Sequence, residues 1–255
     1  MFADNELDYL QYCQSIIEDF PQGIKTDGNS LCKKILNLLK NQNLLISRNG
    51  HDQLPPDFYS EIYKIMFDAL RVNDTEIINK GKFKNPKFAR ERMMEKELKQ
   101  KINTDNKKII CNSENLTNNE HSLINFSNQA QRTINEHINK IKIWEKELPD
   151  MKYKGLFIFD ESDLYFKGTA IPLENSKWCF LTQDTSFNFY YPWLDKNIME
   201  PVYNSNLNFI VWFCPYKFFS SIGNFDTNYF NTIILDVRYN NKNLIQYNYN
   251  EYALS

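Results

Sequence analysis

Four short apolar runs after Pro149 constrain this chain more than any other feature. Gly155-Leu-Phe-Ile-Phe159, Trp178-Cys-Phe-Leu181, Phe209-Ile-Val-Trp-Phe-Cys214 and Thr232-Ile-Ile-Leu235 are rich in aromatic and β-branched residues and are separated by polar, turn-forming segments, which is the composition of strands. None of them alternates apolar with polar residues. A strand with one wet face must alternate, so continuous runs mark strands covered on both faces, and such a sheet needs helices on each side. A helical piece over about Leu194–Tyr203, limited by Pro201, lies between the second and third runs. Residues 151–255 therefore read as β-β-α-β-β, a small C-terminal α/β domain with about four buried strands. The runs do not fix whether the strands pair parallel or antiparallel, which leaves α+β as the alternative class.

Residues 1–150 read as predominantly helical. Leu7, Leu10, Ile17 and Phe20 keep a helical period up to Pro21 and Gly23, residues that end helices. Leu31, Ile35, Leu38 and Leu39 form one stripe over Ser30–Asn43, with Ser30 or Asn29 as its cap. After Pro55-Pro56, the residues Tyr59, Ile62, Tyr63, Met66, Phe67 and Leu70 predict a third, buried helix over Phe58–Leu70. A solvated helix rich in Lys, Arg and Glu is predicted over about 84–102, then a polar loop over 103–120 and a helix from about Ser122 to Glu147 that Pro149 ends.

The net charge of −2 conceals a polarised chain. Residues 1–79 carry 7 basic and 12 acidic side chains, 80–154 carry 17 and 10, and 155–255 carry 6 and 10. A basic belt thus occupies the middle third. Within it Lys82, Lys84, Lys87, Arg90, Arg92 and Lys96 are interleaved with Phe83 and Phe88, the ingredients of phosphate contacts and base stacking. Nucleic acid is the partner this belt predicts, with an acidic protein as the alternative. No run approaches the roughly 20 apolar residues needed to span a bilayer, so no membrane partner is expected. The acidic start, Met1 to Asp8, lacks the basic-then-apolar pattern of a secretory signal. Five cysteines without C-x-x-C spacing suggest reduced thiols, and a cytoplasmic location is the expectation.

Two strand ends carry the candidate chemistry. The first apolar run closes on Asp160-Glu161-Ser162-Asp163, carboxylates placed where α/β sheets usually bind ligands. The last closes as Asp236-Val237-Arg238. An apolar strand ending in carboxylate-x-cation resembles half of the PD-(D/E)XK nuclease pattern, in which two carboxylates hold Mg²⁺ and a lysine orients water. The resemblance implies Asp160, Glu161, Asp236 and Arg238 as catalytic residues and Asp160 with Asp236 as ligands of Mg²⁺. It departs at Arg238, a permanently charged residue in the place of a tunable lysine. Lys217, after the third run, is a further strand-end cation able to converge with these groups. The chain has no G-x-x-x-x-G-K-[ST] and no G-x-S-x-G. His51, His121 and His137 have no helical ligand spacing, so a histidine-based zinc hydrolase is not predicted. The expectation is a nucleic-acid-acting, degenerate nuclease-like protein. A non-enzymatic interaction module, using the belt and the aromatic-rich C-terminal region, is the alternative.

Overall fold

The computed structural model describes residues 6–48, 55–75, 77–79, 82–84, 121–167, 170–172, 179–181, 189–217, 219–220, 229–239 and 244–254. Its centre is a mixed seven-stranded sheet. In chain order the strands are β1 (Ile24–Thr26), β2 (Ile46–Ser47), β3 (Phe58–Ser60), β4 (Ile65–Val72), β5 (Tyr153–Asp160), β6 (Phe209–Phe213) and β7 (Thr232–Asp236). Their spatial order is β1-β7-β6-β5-β4-β3-β2. The central strands β4, β5 and β6 are parallel, β7 runs antiparallel to β6, and β1 is parallel to β7. On the other flank β3 is antiparallel to both β4 and β2. Four of these strands precede residue 150 and three follow it, so the boundary expected there falls inside one sheet.

Strict alternation distributes the apolar residues between two cores. Phe67 and Ala69 of β4, Phe157 and Phe159 of β5, and Phe209, Val211 and Phe213 of β6 pack against α1 (Glu6–Asp19) and α2 (Ser30–Lys40). The intervening Met66, Leu70, Leu156, Ile158, Ile210 and Trp212 pack against α3 (Leu123–Ile138), α4 (Ile141–Glu147) and α5 (Lys196–Tyr203). Helices on both faces are what the continuous apolar runs demanded, and the α/β class is observed. Local signals place the helices. Asn29 caps α2 by accepting from the Cys32 N–H at 2.9 Å, and Leu123, Phe126, Ala130 and Ile134 make the buried stripe of α3 behind the Ser122 cap. The single helix expected over 122–147 is interrupted at 139–140.

The predicted helix over Phe58–Leu70 is corrected to the β3–β4 hairpin. Its turn carries Lys64 in the left-handed region at φ 55 and leaves Ile62 68 % exposed. Of the four C-terminal runs, three form β5, β6 and β7, whereas Cys179–Leu181 pairs with Ala170–Pro172 outside the central sheet. The expected helix over 84–102 and the loop over 103–120 lie outside the described residues, apart from Lys82–Lys84, which pairs with Ile77–Asn79.

Gly155 shows how closely the aromatic core is fitted. It stands between Phe67 and Phe209 in register, and those two rings meet edge-on at 6.3 Å. A Cβ at Gly155 would lie 2.3 Å from the buried Phe209 ring. Gly155→Ala is therefore expected to destabilise the fold by about 1–3 kcal/mol, measured as a lower denaturation midpoint in urea at unchanged slope.

Candidate functional site

Val72 of β4 is level with Asp160 of β5, and Phe159 is level with Phe213 of β6. Three parallel strands thus end side by side, and the residues that follow them share one edge of the sheet, the usual ligand-binding side of an α/β fold. Asp160 is the hub of this edge and is fully buried. Its Oδ1 accepts from the Ser162 N–H at 2.9 Å and the Ser162 hydroxyl at 2.7 Å. Its Oδ2 accepts from Trp212 Nε1 at 2.9 Å, from Lys217 Nζ at 3.0 Å and from the Cys214 thiol at 3.5 Å. Lys217 also donates to Ser162 Oγ at 2.7 Å and lies over the Phe126 ring. Burial alone would lower the Lys217 pKa, but the adjacent Asp160 carboxylate overrides it and holds the ammonium above its ordinary value.

A second cluster lies beside the first. The Asn73 side chain accepts from the Thr75 N–H and hydroxyl at 3.2 and 3.1 Å, a local turn that shapes the strand exit around buried Asp74. Asp74 Oδ2 accepts from the Asp163 N–H at 3.0 Å and the Tyr165 hydroxyl at 2.7 Å. Asp74 Oδ1 is 3.0 Å from His121 Nδ1, which in turn is 2.9 Å from Asp163 Oδ2. Burial would raise the Asp74 pKa, but the hydrogen bonds from His121, Asp163 and Tyr165 outweigh it and lower the value. The same two carboxylates push His121 up to about 9. Among the described residues, Asp74, His121 and Asp163 are the group of carboxylate and imidazole atoms close enough to share one cation, all within 4.8 Å of one another.

Thr75 and His121, the described residues nearest either end of the segment 76–120 that contains the basic stretch, both lie at this edge. The Ser122 N–H donates to the Asp74 carbonyl at 3.3 Å, tying the two ends together.

The structure does not assemble the nuclease-like pairing expected from the strand ends. Phe209 is paired with Gly155 on one side and with Asp236 on the other. Asp236 is therefore level with the start of β5, five residues or roughly 16 Å from Asp160 along the strand. The cause is the antiparallel direction of β7, which carries its C-terminus to the opposite edge. There Asp236 accepts from Arg238 Nε at 2.9 Å and Nη2 at 2.6 Å and from Asn29 Nδ2 at 3.1 Å, while Arg238 stacks near Tyr153 and Tyr239. Asp160 is fully buried and already carries its counter-charge, the Lys217 ammonium, with protein donors on both of its oxygens. Glu161 is engaged by the Arg71 guanidinium, and its N–H donates to the Val72 carbonyl. Lys217 does converge, on Asp160 alone. Lys82 and Lys84 lie in the short hairpin strand 82–84, and Lys87, Arg90, Arg92 and Lys96 lie outside the described residues.

Asp74 and His121 were not singled out by the sequence. The available signal was the triplet Asn73-Asp74-Thr75 behind an apolar run, which matches the Asp160 pattern once Ile65–Val72 is read as a strand. Comparison with protein-family models, with curated proteins and with solved structures finds no match. Among the described residues no helix is long and apolar enough to cross a membrane.

A further carboxylate pair, half-buried Asp57 and buried Asp68, sits at the β3–β4 hairpin. The Asp57 N–H donates to Asp68 Oδ1 at 3.0 Å, the Ala69 N–H donates to Asp57 Oδ2 at 2.9 Å, and His137 Nδ1 lies 2.7 Å from Asp68 Oδ2. Burial, and then the charge of Asp68, push Asp57 up to about 7. A carboxyl raised on folding stabilises the protein fully below its unfolded value near 4, and this contribution disappears as pH rises through about 7. Stability from urea denaturation should fall between pH 4 and pH 7 by on the order of 1–2 kcal/mol from this group. Asp57→Asn should flatten that part of the profile.

Proposed function

We propose that the protein binds nucleic acid through the basic stretch carried at the C-terminal edge of its parallel strands. The observation that carries this reading is topological. The segment holding Lys82, Lys84, Lys87, Arg90, Arg92 and Lys96 follows Asp74 in the chain, and the residues after that segment return to Asp74 through the His121 side chain and the Ser122 backbone. Residues 80–101 contain 9 basic and 3 acidic side chains, and a polyanion is the partner that such a stretch attracts over a Debye length.

The binding is dominated by phosphate contacts and weakly selective for sequence. Fluorescence anisotropy with a labelled single-stranded and a labelled duplex oligonucleotide tests it. Affinity should fall at least about tenfold between 50 and 200 mM salt, and joint reversal of Lys87, Arg90 and Arg92 to Glu should weaken binding by a similar factor or more. Absence of binding at the lower salt, or binding indifferent to both salt and charge reversal, would overturn the reading.

A further inference from the structure

We infer that Asp74, His121 and Asp163 form a binding site for one divalent transition-metal ion, manganese or zinc in class, which ties the exits of β4 and β5 to the start of α3. The inference stands independently of what the basic stretch binds. It begins with the donor set. Two carboxylate oxygens and one imidazole nitrogen suit first-row transition ions better than Mg²⁺, which takes oxygen ligands and holds its water tightly.

The spacing of the donor atoms agrees. His121 Nδ1 lies 3.0 Å from Asp74 Oδ1 and 2.9 Å from Asp163 Oδ2. Neighbouring ligands on an octahedral ion with bonds of about 2.1 Å are about 3.0 Å apart, and on a tetrahedral zinc ion about 3.4 Å. Both nitrogen–oxygen spacings therefore match an octahedral shell, and the ion takes the place of the Nδ1 proton that otherwise bridges the two carboxylates, releasing it to solvent.

The supporting contacts also fit. Asp74 Oδ1 faces His121, while Asp74 Oδ2 is held by the Tyr165 hydroxyl and the Asp163 N–H. Such outer contacts orient a ligating carboxylate before the ion arrives. Access is provided by Asp163, whose side chain is 49 % exposed, against 1 % for Asp74. One wall of the site is therefore open to solvent, which leaves coordination positions for water or a phosphate oxygen.

The three ligands come from separate parts of the chain. Asp74 ends the β4 exit, His121 precedes α3, and Asp163 follows β5. An ion bridging them joins the exits of two central strands to the residues that open α3.

The test uses the full chain, stripped with chelator and titrated separately with Mn²⁺, Zn²⁺ and Mg²⁺ by calorimetry, followed by pulsed electron paramagnetic resonance of the Mn²⁺ form. One Mn²⁺ or Zn²⁺ per chain is expected, with Mg²⁺ at least about tenfold weaker. His121→Gln and Asp163→Asn should each weaken Mn²⁺ binding by at least about tenfold, and His121→Gln should abolish the nitrogen modulation from a directly bound imidazole. Circular dichroism of both variants verifies that they fold, and Asp163→Asn alters the more exposed ligand should His121→Gln fail to fold. No binding at about 1 mM of either transition ion, or binding unchanged in a folded variant, would overturn the site. Oligonucleotide binding measured in chelator is read separately, so loss of the metal site and loss of nucleic-acid affinity are distinct results.

Discussion

The C-terminal edge of the parallel strands is organised around one buried ionic contact, Asp160 with Lys217. A carboxylate at the end of a central strand, removed from water, is tolerable only if its charge is paired and its lone pairs are filled. Lys217 supplies the charge, and Trp212, Ser162 and Cys214 contribute the remaining donors. These partners come from β6, the segment after it and the segment after β5, so satisfying one carboxylate ties two strand exits together. The loop from Asp160 then delivers Asp163 and Tyr165 onto Asp74. The hub holds the frame, and the neighbouring cluster reaches the surface at Asp163.

The division of labour between the two clusters follows from solvent exposure. Asp160, Ser162 and Lys217 are all buried, and their donors and acceptors are spent on one another. Asp74, His121 and Asp163 instead pass from the interior to the surface, with an imidazole between two carboxylates. In the first case the cation is a covalently attached ammonium. In the second the space between the carboxylates is held by a side chain whose nitrogen can donate to them or accept a metal. The same strand edge thus carries a closed ion pair and a ligand set beside it.

The class of fold was legible because burial on both faces of a sheet leaves an unbroken apolar run, and β5, β6 and β7 were found from that signature. The same physics hid β4. Met66, Leu70 and Val72 face one core and Phe67 and Ala69 the other, so the period of two disappears and the spacing of Tyr59, Ile62, Tyr63, Met66 and Leu70 mimics a helical stripe. With β4 unread, Asp74 could not be seen as a strand-end carboxylate. Asp236 was misplaced for a different reason. Strand direction is set by long-range pairing, and nothing in Thr232–Asp236 records that it runs against β6. His121 was discounted on local ligand spacing, although its partners are 47 and 42 residues away in the chain and adjacent in space.

By the proposal above, Asp74, His121 and Asp163 hold the ion at this edge, while Asp160 and Asp236 are committed to protein partners. Anomalous X-ray diffraction from crystals soaked in Mn²⁺ addresses it most directly. The account predicts one strong anomalous peak within about 2.3 Å of Asp74 Oδ1, His121 Nδ1 and Asp163 Oδ2, and none at Asp160 or Asp236. A peak on Asp160 or Asp236, or an empty Asp74 cluster beside an occupied site elsewhere, would contradict it.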